Sequence, residues 1–271
     1  MNRPGTCALA LVALLIPGST PADTLTIASP APGSLAFARY IASIHRRDPF
    51  TESGPVAVLI EASLPGLRRE SRLAAIRETG ESERTEYKVF ETEGDSMVTQ
   101  EVIAPYLAEQ KEIEDLPLSS VIITPANYNF HFMGEAGIAG ASAYVFRIVP
   151  KKKRAGLMRG ELWLDSETGL AVMQAGYFVK TSSTGIRRIE MVRDTKLQDG
   201  SPCSRITRVA LETRRTGRGY LTITEFPPAA IRGSTSDGEK ERQWNKHSVA
   251  VSFSRLPGRF HSMRREGACT E

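Results

Sequence analysis

The sequence predicts an α+β fold in which one large antiparallel sheet carries two or so short helices. Three observations lead there. From about residue 120 onward, apolar and polar residues alternate in one segment after another, the period of strands with one buried face. The links between these segments are short: "PKKKRAG", "SETG", "SSTG", "DGSP" and "RTGRG". Links of that kind join antiparallel neighbours, whereas parallel strands need long crossovers. Helical spacing appears in only two places, both before residue 112.

The first helix is expected behind Pro32-Gly33, with Ser34 as its N-cap. Phe37, Ile41 and Ile44 fall at i, i+4 and i+7 and share one face, and Asp48-Pro49 sets the limit. From Pro55 the period changes to two: Val56, Val58, Ile60, Ala62 and Leu64 share a face, and Leu59 and Glu61 point the other way. Pro65-Gly66 marks a turn. "SRLAAIRET" and "TEYKVFETEG" are two further strands joined through the polar "TGESERT".

The second helix covers residues 96–111, with Val98, Val102 and Tyr106 at four-residue steps. Pro105 removes the bond to the carbonyl of Glu101 and bends it. The meander then runs through Tyr128, Phe130 and Phe132, through Tyr144, Phe146 and Ile148, and through 158–165 and 170–180. It ends on "IRRIEMVRDTKL", "SRITRVALETRR" and "YLTITEF". The glycine-rich residues 134–143 are expected as a hairpin loop.

The chain opens on an export signal. Arg3 precedes the apolar run "ALALVALLI", and "PGSTPAD" offers a cleavage point after Ala22. That run is about half the ~20 residues a spanning helix needs. Cys7 precedes it and is no lipoprotein cysteine. The expected organisation is a signal peptide 1–22, a flexible leader 23–33, a folded domain 34–226 and a polar C-terminal extension 227–271, in which "SVAVSFS" has the pattern of a further strand. Export implies a periplasmic or secreted location. It also places Cys203 and Cys269, the two cysteines of the mature chain, where disulfides form, so their pairing is expected beside the alternative of two free thiols. The 271 residues carry a formal charge of +4, too small and dispersed to indicate nucleic acid.

No pattern selects a catalytic residue, and no cofactor is implied. There is no G-x-S-x-G elbow, no H-E-x-x-H pair and no phosphate-binding glycine loop. Neither mature cysteine has a His or Cys at zinc-ligand spacing, so no metal is expected. Glu161 and Asp165 in "RGELWLDSETGLAV" lie about 13 Å apart along an extended strand; a glycosidase pair needs about 5–9.5 Å, so both read as surface and turn residues. His131 reads as a structural histidine of an aromatic strand. "KKKR" at 151–154 reads as a solvated turn, with contact to anionic lipid headgroups as the functional alternative.

The stretch 144–176 resembles the lipoprotein-carrier superfamily of the bacterial envelope, LolA and its relatives such as the RseB-type sensors. In that family a strand of the form Y-x-x-x-x-x-P-K precedes a G-x-x-W-x-D hairpin and a short turn. Here those positions are Tyr144 to Lys151, Gly160, Trp163, Asp165 and Gly169. The resemblance covers roughly residues 54 to 226. It implies a sheet curved as a half-open barrel, closed by helices around an apolar cavity for acyl chains, with no catalytic residue.

The sequence therefore points to a non-enzymatic binding or carrier protein for a lipid or the acyl chain of a lipoprotein or acylated peptide, with a membrane-protein partner as a further expectation. Cavity candidates are Val58, Ile60, Tyr128, Phe130, Tyr144, Phe146, Leu162 and Leu164, each of which plain core packing also explains. Trp163 is expected to report ligand binding if it borders the cavity. An envelope-stress sensor of the same fold and a secreted hydrolase on another scaffold are the rival readings.

The mature protein is expected to begin at Asp23. Intact-mass measurement of exported material checks this: retention of residues 1–22 would mean an anchored chain.

Overall fold

The computed structural model describes residues 33–44, 50, 54–79, 85–138 and 141–226. The expected signal peptide and leader, up to residue 32, and the expected extension from 227 lie outside the described residues, as do His45, His247, His261 and Cys269. Ten strands form one antiparallel sheet: β1 Val56–Leu64, β2 Arg69–Thr79, β3 Thr85–Gly94, β4 Tyr128–Ile138, β5 Ala141–Pro150, β6 Met158–Asp165, β7 Ala171–Phe178, β8 Ile186–Gln198, β9 Ser201–Thr213 and β10 Gly217–Phe226. Their order is β3-β2-β1-β10-β9-β8-β7-β6-β5-β4. Every neighbouring pair is consecutive in sequence except β1 and β10, which join the N-terminal strands to the end of the meander. The sheet does not close: β3 and β4 are its edges, and the result is a half-open barrel.

Among the described residues four short helices accompany it: α1 Ser34–Ser43, α2 Ser96–Val98, α3 Ala104–Glu114 and α4 Leu118–Val121. A π-helical turn, Thr99–Ile103, links α2 to α3. That turn answers the question raised by Pro105. The proline stands in the first turn of α3, where no intrahelical N–H is required of it. The preceding chain widens so that the Ala104 N–H donates to the Thr99 carbonyl. The bend of the second helix is thus a π turn. α4, a single turn, was not legible as a helix in the sequence.

Direct opposition in the register carries one buried face across the sheet. Ile60 faces Leu73 on β2 and Ile223 on β10; Leu221 faces Val209, and Val209 faces Met191. On β1, Val56, Val58, Ile60, Ala62 and Leu64 are all buried, as the period-two spacing requires. Val98, Val102 and Tyr106 press on this face and join the same core. A Cβ on Gly219 of β10 would lie 2.9 Å from Val102 Cγ2, so the bare backbone there is what lets the helix seat.

Two further features fix the assembly. Glu109 of α3 is fully buried, and its carboxylate accepts from the backbone N–H groups of Ser182 (2.9 and 3.0 Å) and Ser183 (2.9 Å). It pins the helix to the β7–β8 loop with charge-assisted bonds. Gly160 of β6 faces Gly176 of β7. A Cβ built on Gly160 would lie 1.9 Å from the Ala175 carbonyl oxygen, so the strands meet backbone to backbone. Interior glycines of this kind mark sites of close approach and bends at barrel corners.

Two sequence expectations are corrected. Ser34 does not cap α1; Gly33 does, at φ 80°, with its carbonyl accepting from the Phe37 N–H at 2.9 Å and no side-chain cap. A glycine reaches that backbone conformation without steric cost, and it leaves Ser34 exposed inside the first turn. Residues 134–143 are not a loop over most of their length: β4 runs to Ile138 and β5 starts at Ala141. Gly134 stands beside a register shift, and small residues such as Ala136 and Ala143 continue the pairing beyond it. Cys203, half-buried at the foot of β9, is disulfide-bonded.

Gly160→Ala should destabilise the fold by about 3 kcal/mol or more, since a methyl group there overlaps backbone that has no rotamer to yield. The urea midpoint checks this, with Gly66→Ala, whose Cβ meets nothing within 4 Å, as the neutral comparison.

Candidate functional site

The concave face has a different character at each end. At the β4–β6 end it is aromatic. Phe130 and Phe132 of β4 face Ile148 and Phe146 of β5, and Phe146 and Tyr144 face Leu162 and Leu164 of β6. α1 lays Phe37 onto this surface: its ring centroid is 4.9 Å from Phe130 and 5.3 Å from Phe146. Phe132 stands 5.5 Å from Phe146 and 6.1 Å from Tyr144. Gly33 sits over these rings, where a Cβ would come within 3.0 Å of Phe132. α1 is anchored by Tyr40, whose hydroxyl donates to the Ile123 carbonyl at 3.0 Å, and by Arg39, which donates to the Glu167 carbonyl.

Phe132 is on the edge strand and 44% exposed, and Met133 at the register shift beside it is 48% exposed. The aromatic corner therefore opens to solvent at the β4 edge.

The eight cavity candidates all lie on this concave face and within one apolar cluster. Val58, Ile60, Tyr128, Phe146, Leu162 and Leu164 are buried; Phe130 and Tyr144 are half-buried. The cluster splits by location: Val58 and Ile60 belong to the β1 region packed under the π turn and α2, whereas the other six belong to the aromatic end. Trp163 is on the opposite face, between Leu162 and Leu164, facing Val145 and Met173. It does not border the concave surface, because one step along a strand reverses the side chain.

Glu161 and Asp165 have structural tasks. Glu161 accepts from Trp163 Nε1 at 3.1 Å, and Asp165 accepts from the N–H (2.8 Å) and hydroxyl (2.6 Å) of Thr168, closing the β6–β7 turn. His131 is exposed on the outer face opposite Arg147, not packed within the strand. In the KKKR turn, Arg154 donates to the Ser120 carbonyl and Asn127 Oδ1, both at 3.1 Å, and Lys151 donates to the Pro125 carbonyl. The turn is thus partly committed to holding α4.

At the other end the concave face is ionic, which the sequence reading missed. Glu225 of β10 is buried between Arg77 of β2, 2.6 Å away, and Arg205 of β9, 3.7 Å away. The Arg205 guanidinium lies 4.2 Å from the ring centroid of the buried Phe50, and Arg77 donates to the Phe50 carbonyl at 3.3 Å. The signal was present as parity: Glu225 continues the inward series Leu221, Ile223, and Arg77 continues Leu73, Ala75. A charge on an apolar parity is a buried charge and needs a partner on the facing strand.

Outside this cluster, a groove of about 430 Å³ runs between β3 and α3, lined by Thr85, Glu86, Tyr87, Leu107, Ala108, Gln110, Lys111 and Glu114. Burial pushes the Glu114 carboxyl up, against the Thr85 hydrogen bond and the Arg77 charge, which lower it.

Among the described residues no three His, Cys, Asp or Glu side chains gather as a metal site requires, and no helix is long and apolar enough to cross a membrane. No protein-family model matches the chain, and no curated protein matches it in sequence. Among solved structures, the chain is similar to a DUF1329 family protein from Desulfovibrio piger, at 12% identity over 72% of this chain and 91% of that one, with a TM-score of 0.36. It is similar to a LolA superfamily protein from Nitrosomonas europaea, at 14% identity over 70% and 90%, TM-score 0.32. A third is the MucA/MucB complex of Pseudomonas aeruginosa, at 12% identity over 70% and 92%, TM-score 0.24. The LolA superfamily, which the Tyr144–Gly169 motif resembles, is therefore among these structural likenesses. At such TM-scores they carry no argument about function.

The buried phenols give the fold an alkaline limit. Burial pushes Tyr128 up to about 12, and raises Tyr40 and Tyr106 as well, with Tyr128 adding to the effect on Tyr40. The fold holds these groups neutral beyond the pH at which unfolded tyrosines ionise. Their contribution is therefore complete below about pH 10 and lost as pH rises through the folded values. Urea midpoints should be level up to about pH 9.5 and fall steeply from pH 10 to 12. Tyr128→Phe should flatten that fall while costing about 1–3 kcal/mol at neutral pH, because the Met158 N–H loses the hydroxyl it now donates to at 3.1 Å.

Proposed function

We propose that the chain is an exported, non-enzymatic binding or carrier protein of the cell envelope, and that its concave face takes the acyl chain of a lipid or acylated peptide. The observation that carries this reading is the open aromatic corner. Phe132 is exposed at the sheet edge, and behind it Tyr144, Phe146, Phe130 and Phe37 form a continuous apolar path under α1. Exposed apolar surface that leads into a core is a mark of binding. An acyl chain entering at Phe132 lies between α1 and β5. It replaces apolar helix contacts with apolar ligand contacts, so its entry strands no polar group.

Of the eight candidates, Phe130, Tyr144 and Phe146 meet the ligand first in this reading, and Val58 and Ile60 remain core. Each buried methylene contributes about 0.8 kcal/mol, so eight inserted carbons supply about 6 kcal/mol before the cost of association. Eight carbons thus offset only part of that cost, and a chain of about sixteen, at about 13 kcal/mol, is what measurable binding requires.

Native mass spectrometry of exported protein, followed by titration with a lysophospholipid and a triacylated peptide, tests the reading. Because Trp163 faces away from the path, binding is read by mass or calorimetry, not by intrinsic fluorescence. Phe132→Asp, at an exposed position, should weaken binding about tenfold or more without unfolding the chain, and Phe146→Asp should abolish it. Glu167→Ala, on an exposed turn, should leave it unchanged. A protein that copurifies with no lipid and binds neither probe overturns the carrier reading.

A further inference from the structure

We propose that the acidic free edge of β3 is the docking strand for residues 248–256 of this same chain, which join the sheet there as a further strand. Among the described residues β3 is an edge strand, and along one side its backbone N–H and C=O groups have no strand neighbour there. Its charges are Glu86, Glu91 and Glu93, with Lys88 already paired to Glu78 of β2. Charges on an edge ordinarily block pairing. Yet this edge also exposes Val89 (50%) and Phe90 (67%), an apolar pair that a purely protected edge would not carry. Beside it runs the groove floored by Tyr87, Leu107 and Ala108. The edge thus repels acidic strands and favours a cationic one with apolar side chains to lay down.

The chain contains such a segment. From Arg242 to Arg265 there are six Lys and Arg and no Asp or Glu. Within it, Val249, Val251 and Phe253 alternate with Ala250, Ser252 and Ser254, the period of a strand with one apolar side. Arg255 and Arg259 follow directly.

Reach and position agree. β10 ends at Phe226 at the end of the sheet where β3 begins, and β3 is three strand spacings away, about 14 Å across a flat sheet. The intervening chain of about 20 residues spans several times that distance. The other edge, β4, is six spacings from β10, and its strand carries one carboxylate, Glu135, so it has no comparable charge to attract the segment. A second copy of the chain would bring the same carboxylates against β3, which disfavours edge-to-edge dimers through this strand.

Hydrogen exchange on the full-length protein tests the proposal. Amides of residues 85–94 should exchange about tenfold more slowly in the natural chain than in a Val251→Asp, Phe253→Asp variant, with β8 and β9 unchanged as the control for folding. Glu91→Arg with Glu93→Arg should remove the protection. Adding Arg255→Glu and Arg259→Glu to that variant should restore it. Equal exchange of β3 in the natural chain and the tail variant overturns the proposal. So does protection that appears on β4 instead, or that depends on protein concentration, the last pointing to a second copy.

Discussion

The pairing of β6 with β7 rests on a place where two strands meet without side chains. Gly160 and Gly176 oppose each other across β6 and β7, and a methyl group on either would overlap the neighbouring backbone. Elsewhere the concave face is filled by Leu, Ile, Val and aromatic residues. Here it is bare, so the backbones close in. Interior glycines of this kind mark sites where strands approach closely or bend at a barrel corner. The aromatic corner lies to one side of this pair and the helix-covered aliphatic region to the other.

The helical segment from Ser96 to Glu114 is held at three points by three kinds of contact. Val102 drops onto the bare backbone of Gly219, the π turn reconciles the path with Pro105, and Glu109 takes three backbone N–H bonds from the β7–β8 loop. The first is packing, the second backbone geometry and the third charge-assisted hydrogen bonding. Together they cover β1, β10 and β9, and among the described residues α1 covers the aromatic end. One part of the concave face is packed under the Ser96–Glu114 segment, and α1, whose Tyr40 and Arg39 donate to the carbonyls of Ile123 and Glu167, lies over the other.

The ionic end follows a different logic. Glu225 of β10 and Arg205 of β9 oppose each other in one ladder, and Arg77 of β2 reaches them only through the β1–β10 junction. Removing one partner from such a cluster leaves a buried charge without compensation, which is far costlier than losing an exposed pair. The cluster therefore rewards the register that brings β10 against β1 and penalises a slip of one residue there, which would turn Glu225 and Arg205 to the outer face and leave Arg77 within the core.

The amino-acid sequence by itself determined the class of fold, the strands and their approximate limits, the two main helices and the apolar face of β1. These are local properties: period, turn residues and short links act within a few positions of one another. It also carried a motif, Tyr144 to Gly169, whose residues shape a hairpin and its turn. Tertiary structure alone decided which strands lie side by side across the β1–β10 junction, that the Leu162 and Leu164 face rather than the Trp163 face is the concave one, and that Gly33 rather than Ser34 caps α1. It also decided which apolar residues are sealed core and which, like Phe132, stand at an opening. The physical reason is that period fixes which residues share a face of one strand. Only the register between strands, and the close approach that Gly160 and Gly176 permit, fix what that face meets.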